Sequence, residues 1–368
     1  MNARVKGWCP GAWTPMRSGD GLILRIRPRL ARLTRDEILG LCDLSQRYAG
    51  GGIDLTNRAN LQLRGVRDGD YQPLLDGLLA LGLLDETPEA EARRNVTVEP
   101  FWSEGDLTHR LATELNARLH EFPLLPAKFG FAVDCGPSRA LTSAPADIRI
   151  ERGMEGIIIR ADGLETGRAV DEDTAIDTCL DLAQWFATHR GEARRMRAVS
   201  TSLGAEWQDA SPSPKAGERD RDGSLLGAPF GHVSAASLTQ LVTESECEEI
   251  RVTPFRIMYF PGFTHLEHPD FLSDLNDPIL NAHACPGAPA CAEATVETRA
   301  PAAALAPRTT GTLHVSGCAK GCALPRRAHV TLTGRDGRFE LVRNGHPWDE
   351  PARRGLDPKA LKTGTESL

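Results

Sequence analysis

One order of features occurs twice in this chain, and no other property narrows its architecture as far. LTRDEILGLCDLSQRYAGGGIDLTNRANLQLRG opens on a hydroxyl residue, Thr34, and continues as an amphipathic stretch with Ile38, Leu41, Cys42 and Ser45 on one helical face. It closes on an extended pair. In the second half VSAASLTQLVTESECEEIRVTPFRIMYFPG repeats that order behind Ser234. Thr34 has Glu37 three residues on, the spacing of a capping box. The closing segments IDLTNRANLQLRG and IRVTPFRIMYFPG match in length, and CPG occurs at both Cys9 and Cys285. Residue by residue the likeness is weak, so two unrelated helix–strand units remain an alternative. The shared order points to internal duplication. Between the copies, EWQDASPSPKAGERDRDGSLLGAP is polar and rich in Pro, Gly and Ser, and reads as a linker over residues 206–226.

The remaining elements alternate. GLILRIR, RNVTVEP, FGFAVDC, ADIRI and GIIIRA read as strands; YQPLLDGLLALGLL and the stretch from about Asp171 to His189 read as helices. DLTHRLATELNARLHEF sets Leu107, Leu111, Leu115 and Leu119 on one helical face. Short strands returning beside helices imply an α+β fold of split sandwiches, not a doubly wound sheet.

With 368 residues the chain can hold several cores. A net charge of −7 gives no nucleic-acid footprint. No apolar run suits a signal peptide or a membrane span, so no membrane partner and a cytoplasmic location are expected. Nine cysteines, an odd number, then argue for metal or redox use of some of them rather than a disulfide framework. Four are tightly placed: CPGAPAC holds Cys285 and Cys291, and SGCAKGC holds Cys318 and Cys322. C-x5-C and C-x3-C depart from the usual zinc knuckles, and buried structural thiols belong on apolar faces. Here the cysteines lie among Gly, Pro, Ala and Lys, where backbone can bend around an inorganic core, which favours a [4Fe–4S] cluster. Cys9, Cys42, Cys135, Cys179 and Cys247 show no such company.

The arginines are also uneven. LRIRPRLARLTR carries Arg25, Arg27, Arg29, Arg32 and Arg35. Strand alternation turns Leu22, Leu24 and Ile26 one way and Arg25 and Arg27 the other. In NRANLQLRG, Arg58, Asn60, Gln62 and Arg64 share the face opposite Leu61 and Leu63 if the strand runs straight. For any single arginine a solvated surface is the simpler reading. Together, forked donors in register suit a ligand with several carboxylates. Arg93, Arg94 and Lys128 add cations at strand edges.

LRIRP, TNRANLQLRG, RRNV, LPAKFG and the cysteine set, in this order, resemble the sirohaem-type sulfite and nitrite reductase family over most of the chain. The resemblance implies two ferredoxin-like half-domains, 1–88 and 227–275, and two sulfite-reductase-like α/β core domains, 89–205 and 276–368. It implies Cys285, Cys291, Cys318 and Cys322 as cluster ligands, Cys322 being the one that bridges to sirohaem iron in the reductases. It puts tetrapyrrole and anion contacts at Arg27, Arg58, Arg94 and Lys128, and the family's strand glutamine at Gln62. Arg25, Asn60 and Arg64 complete the candidate binding face.

Two departures bear on the reaction. Gly130 stands where the family carries a second lysine, and Arg64 where it carries a histidine. Reduction of a small oxyanion needs cationic proton donors, and one is gone. CPGAWTPMRSGDGLILRI, GGGIDLTNRANLQLRGV, IRVTPFRIMYF, CPGAPAC and VSGCAKGC more closely resemble an oxygen-dependent branch of corrin biosynthesis, which implies that the macrocycle is substrate. There, precorrin-3A and O2 are the substrates, hydroxylation falls at C20, and a γ-lactone closes. That resemblance implies a 4Fe–4S cluster and a separate mononuclear non-haem iron. Neither a ligand set for that iron nor the catalytic residues are legible: His265, Glu267 and His268 have the residue types of a facial triad but read as an ordinary surface loop, and His283 and His314, equal candidates, read first as hydrogen-bonded structural histidines. GGG at Gly50 precedes a strand, the wrong context for a dinucleotide site, so an external NADH-linked donor protein is expected. A small sirohaem-dependent sulfite or nitrite reductase is the alternative, and an iron–sulfur tetrapyrrole carrier or sensor the non-enzymatic one.

Overall fold

A computed structural model describes residues 10–214, 222–365 and 368. Cys9 and the middle of the 206–226 stretch lie outside the described residues. The chain opens with a hairpin of β1 (Met16–Ser18) and β2 (Gly21–Ile26), then β3 (Arg32–Thr34), α1 (Arg35–Tyr48), β4 (Gly52–Leu55), β5 (Leu61–Val66) and α2 (Tyr71–Ala80). Helix α1 begins where it does because Thr34 and Glu37 form a complete capping box, and it buries Ile38, Leu41, Cys42, Leu44 and Ser45. The first core domain follows: α3 (Pro88–Arg93), β6 (Val96–Val98), α4 (Leu107–Arg118), β7 (Phe131–Asp134), β8 (Ile148–Arg152), β9 (Ile157–Ala161), β10 (Arg168–Val170) and α5 (Glu172–His189). The second half runs β11 (Gly223–Gly227), β12 (His232–Ser234), α6 (Ala235–Glu244), β13 (Glu249–Val252) and β14 (Ile257–Pro261). Its core domain has β15 (Ala282–Ala284), α7 (Arg299–Leu305), β16 (Leu313–Ser316), β17 (Ala328–Arg335), β18 (Arg338–Gly345), β19 (Arg353–Leu356) and α8 (Pro358–Thr363).

Duplication is visible in every layer. The half-domain sheets run β1-β2-β5-β4-β12 and β11-β14-β13-β3. Each half therefore lends the strand before its helix to the other: β12 pairs with β4, and β3 with β13. Both lent strands follow a turn with two left-handed residues, Leu30 and Ala31 in one copy and Phe230 and Gly231 in the other. Helices α1 and α6 pack together, and one core joins Leu33, Ile38, Leu41 and Ile53 to Val233, Leu238, Ile250 and Met258. The core-domain sheets run β10-β9-β8-β7-β6 and β15-β16-β17-β18-β19. In each, the three strands nearest the half-domains are parallel and the outer two antiparallel. This is an α+β architecture of two half-domains and two cores.

The stretch read as a linker is structured at both ends. Trp207 is buried in the first core, Pro212 bridges to Gly153, and β11 is already formed from Gly223.

Candidate functional site

Register aligns four polar side chains across the first sheet. Arg25 faces Gln62, Gln62 faces Asp54, and Asp54 faces His232. Cross-strand partners share a face. The alternate positions, Leu24, Leu63, Ile53 and Val233, enter the core. Arg25 Nη2 donates to Gln62 Oε1 at 3.3 Å. Arg64, two residues past Gln62, is clamped by Asp20, with Nε to Oδ2 at 2.7 Å and Nη2 to Oδ1 at 3.1 Å.

The expectation that Arg58 and Asn60 extend this row needs correction. The strand begins at Leu61. Before it Thr56–Asn60 forms a tight turn in which Ala59 is left-handed and the Thr56 hydroxyl accepts from the Arg58 and Asn60 amides. Asn60 is buried in that turn. Arg58 leaves the sheet and donates to the Lys128 carbonyl at 2.8 Å, which brings these two together. Arg94 is buried against Asp85, 2.8 Å away, and also donates to the Arg27 carbonyl. Arg27 in turn donates to the Glu91 carbonyl at 2.9 Å and lies 3.5 Å from its carboxylate. Arg94 thus fastens the floor of the face.

Gly130 lies close against Arg58 and Asn95. A Cβ there would lie 2.7 Å from Asn95 Nδ2, 2.9 Å from Arg58 Nη1 and 3.0 Å from the Asn95 carbonyl oxygen. A side chain at this position would require Arg58 and Asn95 to shift.

The cysteines sit at the ends of adjacent parallel strands. Cys285 follows β15 directly, and Cys318 comes two residues after β16. Cys285 Sγ accepts from the Gly317 amide at 3.2 Å, and the Cys285 carbonyl accepts from the Thr298 hydroxyl. Gly287 is left-handed and a side chain there would collide with Thr298; one at Gly317 would meet Ala294 2.5 Å away. These glycines let the loops close around the sulfurs. Burial, chiefly, pushes the Cys318 thiol up, and Cys285 and Cys291 add to the effect, so the three feel one another. None of the four is in a disulfide, and exposure rises from buried Cys285 through Cys291 and Cys318 to exposed Cys322.

Cysteine loop and polar face meet. Gly19, in the β1–β2 turn, lies against Ala292, and Arg299 Nη2 reaches Asp54 Oδ1 at 3.2 Å. Burial works against the Arg64 charge, but Asp20, Asp54 and the neighbouring Cys291 hold it above its ordinary value. The duplicate of this face, on the second sheet, is filled: the Arg251 guanidinium lies 3.6 Å over the Trp102 ring, and Tyr259 packs edge-on against Phe101 at 5.0 Å. Where the second core has Cys285, the first has Glu99, each amide bonded to the equivalent valine carbonyl of the neighbouring strand. Duplication made two faces, and the first keeps half-buried polar side chains where the second is packed with aromatic rings.

Four thiolates of a cubane each bind a different iron and need not converge on one point. The placement of these loops suits that. A single ion is another matter: among the described residues no three His, Cys, Asp or Glu side chains converge to hold one. His265 and Glu267 lie 3.3 Å apart on an exposed loop, and His268 packs on Phe271. His283 and His314 face each other across β15 and β16. Burial, then the charges of Arg256, His314 and Arg326, push the His283 imidazole down to about 3.

Sequence reasoning passed over Asp20, Asp54, His232 and Arg299. Asp54 had a signal, a polar residue between Ile53 and Leu55 in alternation with Gln62's face. His232 and Arg299 come from distant sequence, and only the exchanged strand and the core packing bring them in.

Residues 14–81 match the nitrite/sulfite reductase ferredoxin-like half domain. The chain is 29% identical to a precorrin-3B synthase from Sinorhizobium sp. over 92% of its own length and 83% of that protein's. It is 23% identical to the ferredoxin–nitrite reductase of Synechococcus elongatus over 89% of its own length and 78% of that protein's. The NirA protein of Mycobacterium tuberculosis superposes with a TM-score of 0.62 at 18% identity, covering 93% of this chain and 79% of NirA. The chain is therefore a homologue of precorrin-3B synthase and of ferredoxin–nitrite reductase, built on the sulfite-reductase-like fold that it shares with NirA.

Proposed function

We propose that the chain is the monooxygenase of cobalamin biosynthesis that hydroxylates precorrin-3A at C20 with γ-lactone formation, giving precorrin-3B. Its homology makes it an oxidoreductase enzyme, which sets aside the carrier or sensor. The observation that carries the proposal is the meeting of the Arg25–Gln62–Asp54 row, with Arg64 beside it, and the Cys285–Cys291–Cys318 loops in one place. Arginine forks match carboxylates, each charge-assisted bond contributing about 1.5–3 kcal/mol, so several acid side chains of the macrocycle can be held at once. Arg25, Arg58, Arg64 and Lys128 supply the cations; Gln62 adds an amide. Arg27 and Arg94 hold the backbone beneath them.

Cys285, Cys291, Cys318 and Cys322 would hold the [4Fe–4S] cluster, which supplies electrons one at a time. No step is assigned through a mononuclear iron, since no ligand set for it converges among the described residues. A donor protein is the proposed source of electrons. Gly130 in place of the lysine that the reductase pattern carries favours this reading over sulfite or nitrite reduction, because it removes a cationic proton donor.

The test is anaerobic purification with iron, sulfide and porphyrinoid analysis, then incubation with precorrin-3A, O2 and a chemical reductant. Iron and sulfide without sirohaem, and a product heavier by one oxygen atom, are expected. Sirohaem as purified, with sulfite or nitrite reduction, would establish the reductase instead.

A further inference from the structure

The polar face of the first sheet carries one imidazole, that of His232. Its Nδ1 lies 2.7 Å from Asp54 Oδ1. The ring occupies space that only a glycine leaves: a Cβ at Gly52 would stand 2.6 Å from Cε1 and 3.4 Å from Nε2. Asp54 is largely buried. Burial alone would push its carboxyl up, but the hydrogen bond from His232 and the charges of His232, Arg299 and Arg64 hold it below the ordinary carboxylate range. A carboxylate on Nδ1 fixes the tautomer and orientation of the ring and leaves Nε2 available. On one side of this pair the row continues through Gln62 to Arg25. On the other, β12 is the edge of the sheet and the His232 side chain is 34% exposed. The pair therefore stands between solvent and the binding face.

We propose that His232 is a proton-transfer residue of this polar face and Asp54 its positioning residue, a reading that rests on the oxygenase reaction proposed above. That reaction balances as macrocycle + O2 + two electrons + two protons giving macrocycle-O + H2O: oxygen adds at C20 of a ring C=C bond, an acetic acid oxygen of the macrocycle bonds the neighbouring carbon to close the lactone, and the acid's proton passes to the new hydroxyl. One oxygen atom forms the new C–O bond, the O–O bond breaks, and the other atom leaves as water with two protons. The electrons come from the donor protein. The His232 imidazolium gives its Nε2 proton toward the departing oxygen, keeps Nδ1–H on the Asp54 carboxylate, and is reprotonated by water at the sheet edge. The charged group that faces it is Asp54 from β4, on which Arg64 from β5 and Arg299 from the start of α7 also act. Without the Asp54 charge the imidazolium would lose its counter-ion.

The test uses the full-length, cluster-loaded protein with precorrin-3A. His232→Gln is expected to lower kcat roughly 10²-fold while KM for the macrocycle stays within about twofold. The alkaline limb of the kcat profile should vanish in that variant, and in Asp54→Asn it should move to lower pH. Two results overturn the proposal. One is a His232→Gln enzyme with unchanged kcat and pH profile. The other is a variant that loses cluster, thermal stability and macrocycle binding together, the mark of a structural contact alone. If the wild-type protein leaves precorrin-3A unchanged, the oxygenase reading fails by itself. The ring C–H resonance of His232 on anaerobic addition of uroporphyrin III then decides for the histidine: a shift keeps it on the ligand face, and no shift removes it.

Discussion

Arg64 is gripped by both carboxylate oxygens of Asp20, and its guanidinium is near enough to Cys291 for their charges to interact across the edge of a cluster-forming loop. A cationic neighbour stabilises the reduced, more negative form of a thiolate-bound cluster. Arg64→Leu should lower the midpoint potential of the reconstituted cluster, read by potentiometric titration. Leaving Asp20 without its partner should also cost about 1–3 kcal/mol in a denaturant melt.

Alanine at Cys285, Cys291, Cys318 or Cys322 should remove iron and inorganic sulfide from reconstituted protein while far-UV circular dichroism holds. Alanine at Cys179, buried on α5, should leave both in place. Retention of a full cluster by Cys285→Ala would refute the ligand assignment.

Arg94 and Arg58 should separate cleanly. Arg94→Ala leaves Asp85 with Arg29 as its remaining partner and frees the Arg27 carbonyl in a buried setting, a loss of about 1–3 kcal/mol. Unfolding should show that loss. Arg58→Ala touches a turn and the Lys128 carbonyl, so stability should change little while affinity for a polycarboxylate porphyrin falls.

The core thiols make stability fall on the alkaline side. Burial pushes Cys42 up to about 11, and raises Cys135 and Cys179 further. Each keeps its proton in the folded protein after the unfolded chain has lost it. Stability is therefore fully present below pH 9 and declines as pH climbs toward 11, by about 1.4 kcal/mol per pH unit for each such thiol. Iodoacetamide at neutral pH should reach Cys322 first and leave Cys42, Cys135 and Cys179 unmodified until the protein unfolds.

Much of this was legible from local pattern. The helix from Thr34 follows from its capping box, and the strand carrying Arg25 from plain alternation. Equal spacing of the two helix–strand units disclosed the duplication. What escaped depends on distance in sequence. Nothing in NRANLQLRG shows that Thr56 folds the chain into a turn, so the row was drawn two residues too long, through Asn60 and Arg58. Arg94 looked like a ligand contact because a guanidinium in sequence does not show its partner, Asp85. His232 gave no sign at all, since it reaches Asp54 only because its strand crosses to the other half.

That crossing sets how the chain can be cut. Because β3 and β12 each complete the opposite half's sheet, a break between residues 215 and 221 would yield two fragments, each missing an edge and carrying an orphan strand. Expressed alone, either should be insoluble; expressed together, they should find each other and restore the enzyme as a non-covalent pair.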